Sequence, residues 1–198
     1  MNVGIFVFDE VEVLDFAGPF EVFSTASRML ARAGRPESFD VELIADEARP
    51  VRARGGFVVT PHRTFRDHAP LDLFIVPGGV VTAELARPDV VGWVAATAAT
   101  SALTASVCTG AFLLAAARRL DGRRVTTHWE DADDLRRDFP ALNVETGARW
   151  IDEGGVVTSA GISAGLDMSL HLVRRLVGTE IAVRTARQMD YEWKDVVA

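Results

Sequence analysis

Apolar positions recur along this chain in two rhythms. Short runs rich in β-branched and aromatic residues, bounded by Gly, Pro or Asp, predict strands over residues 3–8, 39–45, 71–76, 102–107 and 125–127. The first is almost wholly apolar, as a strand covered on both faces should be. Residues 51–54 and 57–60 flank Gly55-Gly56, and 149–152 and 156–159 flank Glu153-Gly154-Gly155; both pairs read as hairpins. Between the strands the spacing turns helical. Phe16, Phe20, Phe23 and Leu30 form one stripe, with Pro19 expected in the first turn. Residues 88–100, 110–120, 163–177 and 179–191 are further helices, and Leu166, Leu170, Val173 and Val177 share a face of the third of these. Strands alternating with helices predict an α/β protein with a mainly parallel sheet and helices on both faces. Such sheets bind ligands at the carboxyl ends of their strands. Attention therefore falls on the segments just after Phe8, Val76 and Val107.

Residues 90–117 carry no charge over 28 positions, long enough for a membrane helix. The run is mostly Ala, Ser and Thr, however, and breaks at Ser101 and at Cys108-Thr109-Gly110. Helix, buried strand and helix is the better reading.

The length of 198 residues suits a single domain spanning 1–198, and 48% apolar residues suffice for one core. With 21 basic and 28 acidic residues the net charge is −7, which argues against a non-specific nucleic-acid binder. The opening Met1-Asn2-Val3-Gly4 has no basic region and soon meets Asp9 and Glu10, unlike a secretory signal. A cytoplasmic setting is expected, with no membrane partner. One cysteine, Cys108, excludes an internal disulfide. Neither a Gly-rich nucleotide motif nor His-rich ligand spacing occurs, so no cofactor and no metal are expected. Glu130, Asp131, Asp133 and Asp134 are read as a helix N-terminus.

The strongest chemical signal is Ser106-Val107-Cys108-Thr109-Gly110, between an apolar strand and an Ala/Leu-rich helix. It has the layout of a nucleophile elbow with cysteine as nucleophile. The turn would lift the thiol into the crevice, the helix N-terminus would favour thiolate, and the Thr109 N–H would be an oxyanion donor. Pro77-Gly78-Gly79 follows another strand and could supply a second donor. Asp15, beside Leu14 and Phe16, is either a helix N-cap or a desolvated carboxylate able to hold a proton; Glu21 is the alternative. His128, in Thr126-Thr127-His128-Trp129, could serve Cys108 as a base.

Taken together, Leu14-Asp15-Phe16-Ala17-Gly18-Pro19, Pro77-Gly78-Gly79, Cys108-Thr109-Gly110, Thr126-Thr127-His128-Trp129 and Gly161-Ile162-Ser163-Ala164-Gly165 resemble the ThiJ/PfpI family of the class I glutamine amidotransferase-like superfamily. The matches run in family order from residue 3 to about 190. They are most similar to the branch that holds isocyanide hydratase and the sensor domains of AraC-type regulators. The resemblance implies a flavodoxin-like three-layer sandwich, a homodimer and a small-molecule substrate; the acidic balance keeps the expectation of no nucleic-acid partner. It implies Cys108 as nucleophile, assisted by Asp15 and flanked by Thr109, with Gly78, Gly79, Gly161, Ile162 and His128 around the substrate. The activity implied is hydration of isocyanides to N-formamides. The alternatives are a glyoxalase or deglycase acting on reactive carbonyls, and a non-enzymatic redox or ligand sensor. Thr109 stands where a protease-like branch has His, and Asp15 where the deglycases have Glu. A Pro-rich tail of the hydratases has no counterpart in Trp193-Lys194-Asp195-Val196-Val197-Ala198, and no helix-turn-helix region comes after residue 190. A different pocket wall and an incomplete regulator are the corresponding expectations.

Overall fold

The computed structural model describes residues 1–195. The strands in chain order are β1 (Asn2–Phe6), β2 (Asp40–Ala45), β3 (Val51–Arg52), β4 (Val58–Val59), β5 (Arg63–Thr64), β6 (Leu73–Val76), β7 (Leu103–Val107), β8 (Arg124–Val125), β9 (Asn143–Val144), β10 (Trp150–Asp152) and β11 (Val156–Ser159). The helices are α1 (Val13–Arg32), α2 (Thr82–Leu85), α3 (Pro88–Thr100), α4 (Gly110–Ala116), α5 (Ala132–Asp138), α6 (Ala164–Val177) and α7 (Thr179–Gln188).

Seven strands form one sheet in the order β10-β11-β7-β6-β1-β2-β5. All neighbours are parallel except the β10–β11 hairpin at one edge. The central strands β6 and β7 are buried at every position, which accounts for their near-continuous apolar character. Helices α1, α6 and α7 pack together on the sheet, and α2, α3 and α4 form the other helical group. This is the mainly parallel, flavodoxin-like sandwich with helices on both faces that the alternating pattern and the resemblance imply. The uncharged run divides into α3, β7 and α4, and no helix among the described residues is long and apolar enough to cross a membrane.

Two helical glycines let their helices approach the sheet closely. A Cβ on Gly165 of α6 would lie 2.8 Å from Val107 Cγ1, and one on Gly110 of α4 would lie 2.0 Å from the Val76 carbonyl oxygen. The elbow is thus wedged between β6 and α6.

Several boundaries move. Helix α1 starts at Val13, so Pro19 lies inside it rather than in its first turn. Proline has no N–H, so the helical bond that would reach the Asp15 carbonyl is missing there. Asp15 is not the N-cap; that position is Glu12. Helix α4 ends at Ala116 and α7 at Gln188, both short of expectation. Strands β5 and β9 and helix α2 were not expected. Each has four residues or fewer, too few to show a period.

Candidate active site

Four neighbouring strands, β11, β7, β6 and β1, run parallel, and the segments after their carboxyl ends converge. They contribute Gly161 and Ile162, Cys108 to Gly110, Pro77 to Gly79, and Glu12 to Asp15. Chain order reverses between β1 and β6, since β2 lies on one side of β1 and β6 on the other. A crevice at that reversal is where α/β sheets accommodate ligands.

Cys108 sits at the apex of the elbow with φ 55°, a left-handed conformation that non-glycine residues rarely adopt. The strain is held by hydrogen bonds. The Cys108 N–H donates to the Ser159 and Ala160 carbonyls at 3.1 and 3.2 Å, and the Thr127 hydroxyl donates to the Cys108 carbonyl at 2.8 Å. Ile162 has φ 44° and turns its backbone N–H toward the sulfur, as does Thr109.

Asp15 lies fully buried beside the thiol. Its Oδ2 accepts from the Gly78 N–H at 3.0 Å, while Oδ1 is buried with no hydrogen-bond partner. Burial, reinforced by Glu12, pushes its pKa up to about 7 against the opposing Gly78 bond. Burial and the neighbouring Asp15 charge push the Cys108 thiol up to about 12, more than the Thr109 and Ile162 N–H groups pull it down. The expectation of a thiolate favoured by the helix N-terminus is therefore corrected. Desolvation outweighs the two donors, and α4 is only seven residues long. Burial thus disfavours the charged form of both groups, and the charge of Asp15 adds to the cost of a thiolate beside it.

The expected second donor from the glycine pair is corrected as well. The Gly78 N–H is committed to Asp15, and the Gly79 N–H donates to Thr109 Oγ1 at 2.9 Å. The Thr109 hydroxyl donates back to the Gly79 carbonyl at 2.9 Å. These glycines position Asp15 and the elbow, and the second N–H at sulfur comes from Ile162. Glycine is required at 79, where φ is 138° and a Cβ would lie 2.3 Å from the Glu10 carbonyl oxygen.

A cleft of about 320 Å³ opens on the sulfur, lined by Glu12, Arg54, Gly79, Cys108, Thr109, His128, Glu130, Asp131 and Ile162. His128 lies against Gly161, its Nδ1 3.3 Å from both the Glu130 N–H nitrogen and Asp131 Oδ2. These partners occupy Nδ1 only, and His128 shares the cleft with Cys108; the acid–base group beside the thiol is Asp15. Glu21 is exposed and bonded to Thr25 and Arg28, outside the site. Glu12 and Arg54, joined at 3.2 Å, were missed, because Arg54 enters from the β3–β4 hairpin and has no motif. No group of three His, Cys, Asp or Glu able to hold a metal ion occurs among the described residues.

This constellation can be set beside known proteins. The DJ-1/PfpI family pattern matches residues 1–175. The chain belongs to the DJ-1/PfpI family. Within that family it is 32% identical over 192 residues to an isonitrile hydratase of Pseudomonas putida, covering 96% of this chain and 78% of the relative. Isonitrile is another word for isocyanide. It is also 30% identical to the HTH-type transcriptional regulator GbdR of Pseudomonas aeruginosa (strain UCBPP-PA14), covering 96% of this chain but about half (51%) of that regulator. Among solved structures, a ThiJ/PfpI family protein from Pseudomonas syringae superposes with a TM-score of 0.85 at 26% identity, over 96% of this chain and 75% of that one.

Proposed function

We propose that this chain is an enzyme that hydrates isocyanides to N-formamides, with Cys108 as nucleophile and Asp15 as the group that holds and delivers the proton. The observation that carries the reading is the buried Asp15–Cys108 pair, with its orphaned Asp15 oxygen and two N–H groups at the sulfur. A carboxylate with an unpartnered buried oxygen is costly. Protonated, the same group can donate to sulfur or to a bound carbon.

In the first step Sγ attacks the terminal carbon of R–N≡C and a C–S bond forms. The proton held by the pair passes to that carbon, giving the thioimidate S–CH=N–R. Water then adds to the carbon, placing its oxygen there and one proton on nitrogen. The C–S bond breaks, the remaining hydroxyl proton returns to the Asp15–Cys108 pair, and HC(=O)–NH–R leaves. One difficult addition becomes two easier ones. The Thr109 and Ile162 N–H groups stabilise the sulfur anion as it leaves. Gly78, Gly79 and Gly161 hold the parts in place, and His128 forms part of the cleft wall.

The test is to incubate the purified protein, Cys108→Ala and Asp15→Asn with an aryl isocyanide and follow the N-formamide by absorbance and mass. Cys108→Ala is expected to lose turnover entirely. Asp15→Asn is expected to fall by about a hundredfold or more, the usual scale of acid–base assistance, while remaining folded. Full turnover by Cys108→Ala would falsify the reading. A carbonyl-directed enzyme would form lactate from methylglyoxal; background rates are expected here. An exposed low-pKa cysteine, the premise of a redox sensor, is not what the buried Cys108 offers.

A further inference from the structure

The cleft at Cys108 continues past Thr109 into a second groove of about 420 Å³, and the two share Gly79, Thr109 and Asp131. Its lining includes the apolar side chains of Val80, Leu85 and Phe112 and the carboxylates of Asp131, Asp134 and Asp138. Val80 is a large apolar side chain left 46% exposed there. Around the sulfur itself the charges are also unbalanced. Arg54 is answered by Glu12 at 3.2 Å, which leaves Glu130 and Asp131 facing the cleft beside His128. Arg137, bonded to Asp134 and Asp138, is itself 65% exposed and screened by water. The field of Asp131 reaches the thiol, since it contributes to the raised Cys108 pKa.

We propose that the Cys108 cleft admits uncharged or cationic electrophiles carrying an apolar arm, which lies along Val80, Leu85 and Phe112, and turns anionic ones away. The proposal rests on Cys108 as the nucleophile, not on isocyanide as the substrate. A carboxylate, sulfonate or phosphate brought to the sulfur must come close to Asp131 and Glu130 in a partly desolvated cleft, where like charges repel more strongly than in water. An apolar arm in the second groove gains from leaving water.

The test compares alkylation of Cys108 by iodoacetamide and iodoacetate, reagents of one shape that differ in charge. In each case Sγ forms a bond to the methylene carbon, iodide leaves, and the thiol proton passes to solvent. Rates are normalised to those of 2-mercaptoethanol with the same reagent. The thiolate fraction of Cys108 is common to both reagents, so the ratio reads the field alone. Iodoacetamide is expected to be favoured by about tenfold, the effect of one charge felt across a half-solvated gap. The preference should shrink in Asp131→Asn/Glu130→Gln and in about 0.5 M salt. N-hexyl iodoacetamide is expected to react several-fold faster than iodoacetamide, and Val80→Asp, at an exposed position, to remove that gain. Equal normalised rates, or faster iodoacetate, overturn the charge filter. Absence of a hexyl gain overturns the arm. A sulfur that neither reagent reaches overturns the groove as its approach. Charge discrimination without N-formamide formation removes only the hydratase reading; turnover without discrimination removes only this one.

Discussion

At Asp15 a carboxyl group is held dry beside a thiol, and the fold bears the cost. Its pKa is about 7 in the folded chain against 3.8 for the ordinary group. The folded state therefore binds more protons than the unfolded state between those values, and stability falls as pH rises from about 4 to about 7. The loss is on the order of 4 kcal/mol by linkage. Asp15→Asn keeps an oxygen for the Gly78 N–H and removes the charge. It is expected to melt higher than the natural chain at pH 8, with the difference vanishing toward pH 4; a constant difference across that range would sink the idea. The same titration should shape reactivity. Thiol alkylation is expected to rise through about pH 7, as the pair loses its first proton, and then level off, whereas Asp15→Asn lacks that step. Cys108 was legible in the sequence because its elbow is a local motif at the end of a strand. Asp15, in the first turn of α1, stood beside the alternative Glu21 until the resemblance of its Leu14-Asp15-Phe16-Ala17-Gly18-Pro19 segment favoured it. Ile162 was named in the sequence as a lining residue, but its N–H at the sulfur depends on a φ of 44° that no spacing announces. Arg54 and Glu12 meet only in three dimensions.

Among the elements, the junction of β6 with α4 has the tightest tolerance. The Cβ of an alanine at Gly110 would stand 2.0 and 2.8 Å from the Val76 and Pro77 carbonyl oxygens, both of them backbone. Gly110→Ala is expected to cost about 2–3 kcal/mol or more in denaturant unfolding, since the end of a central strand must shift to make room. Gly92, in the interior of α3, would put its Cβ into open space. Gly92→Ala is expected to stabilise by about 0.5–1 kcal/mol, because alanine is the better helix former. The long strands and helices were readable for the same reason that these two glycines differ. Buried β6 and β7 need unbroken apolar runs, and α6 needs its Leu166, Leu170, Val173 and Val177 face. Strands β5 and β9 carry only Arg63-Thr64 and Asn143-Val144, and they exist because a neighbouring strand offers its edge. The end of α1 nearest the site was displaced by tertiary context, which retains Pro19 inside the helix.

Over the whole molecule, the segment after α7 is fastened to the body by one buried carboxylate. Asp167 in α6 is fully buried, is paired with Arg149, and accepts from the Tyr191 hydroxyl at 3.1 Å and the Lys194 N–H at 2.9 Å. Arg174 lies over the Trp193 ring at 5.4 Å. Burial and the Asp167 charge raise the Tyr191 pKa to about 12. Asp167→Asn is expected to cost about 3 kcal/mol, or roughly 6–12 °C in Tm, because it leaves Arg149 without its counter-charge. Tyr191→Phe should cost only about 1 kcal/mol, one hydrogen bond; equal losses in thermal melts would refute the clamp. The position of β7 has another consequence, for the time before the fold exists. One of its edges is taken by β6, made earlier in synthesis, and the other by β11, made some fifty residues later. A chain emerging from the ribosome therefore carries a bare apolar strand edge, and its single cysteine without shelter, until Ser159 has emerged. Distant pairings of this kind slow folding and expose sticky edges. The interval in which the sulfur is most open to oxidants and to other chains is the moment of birth, not the working life of the protein.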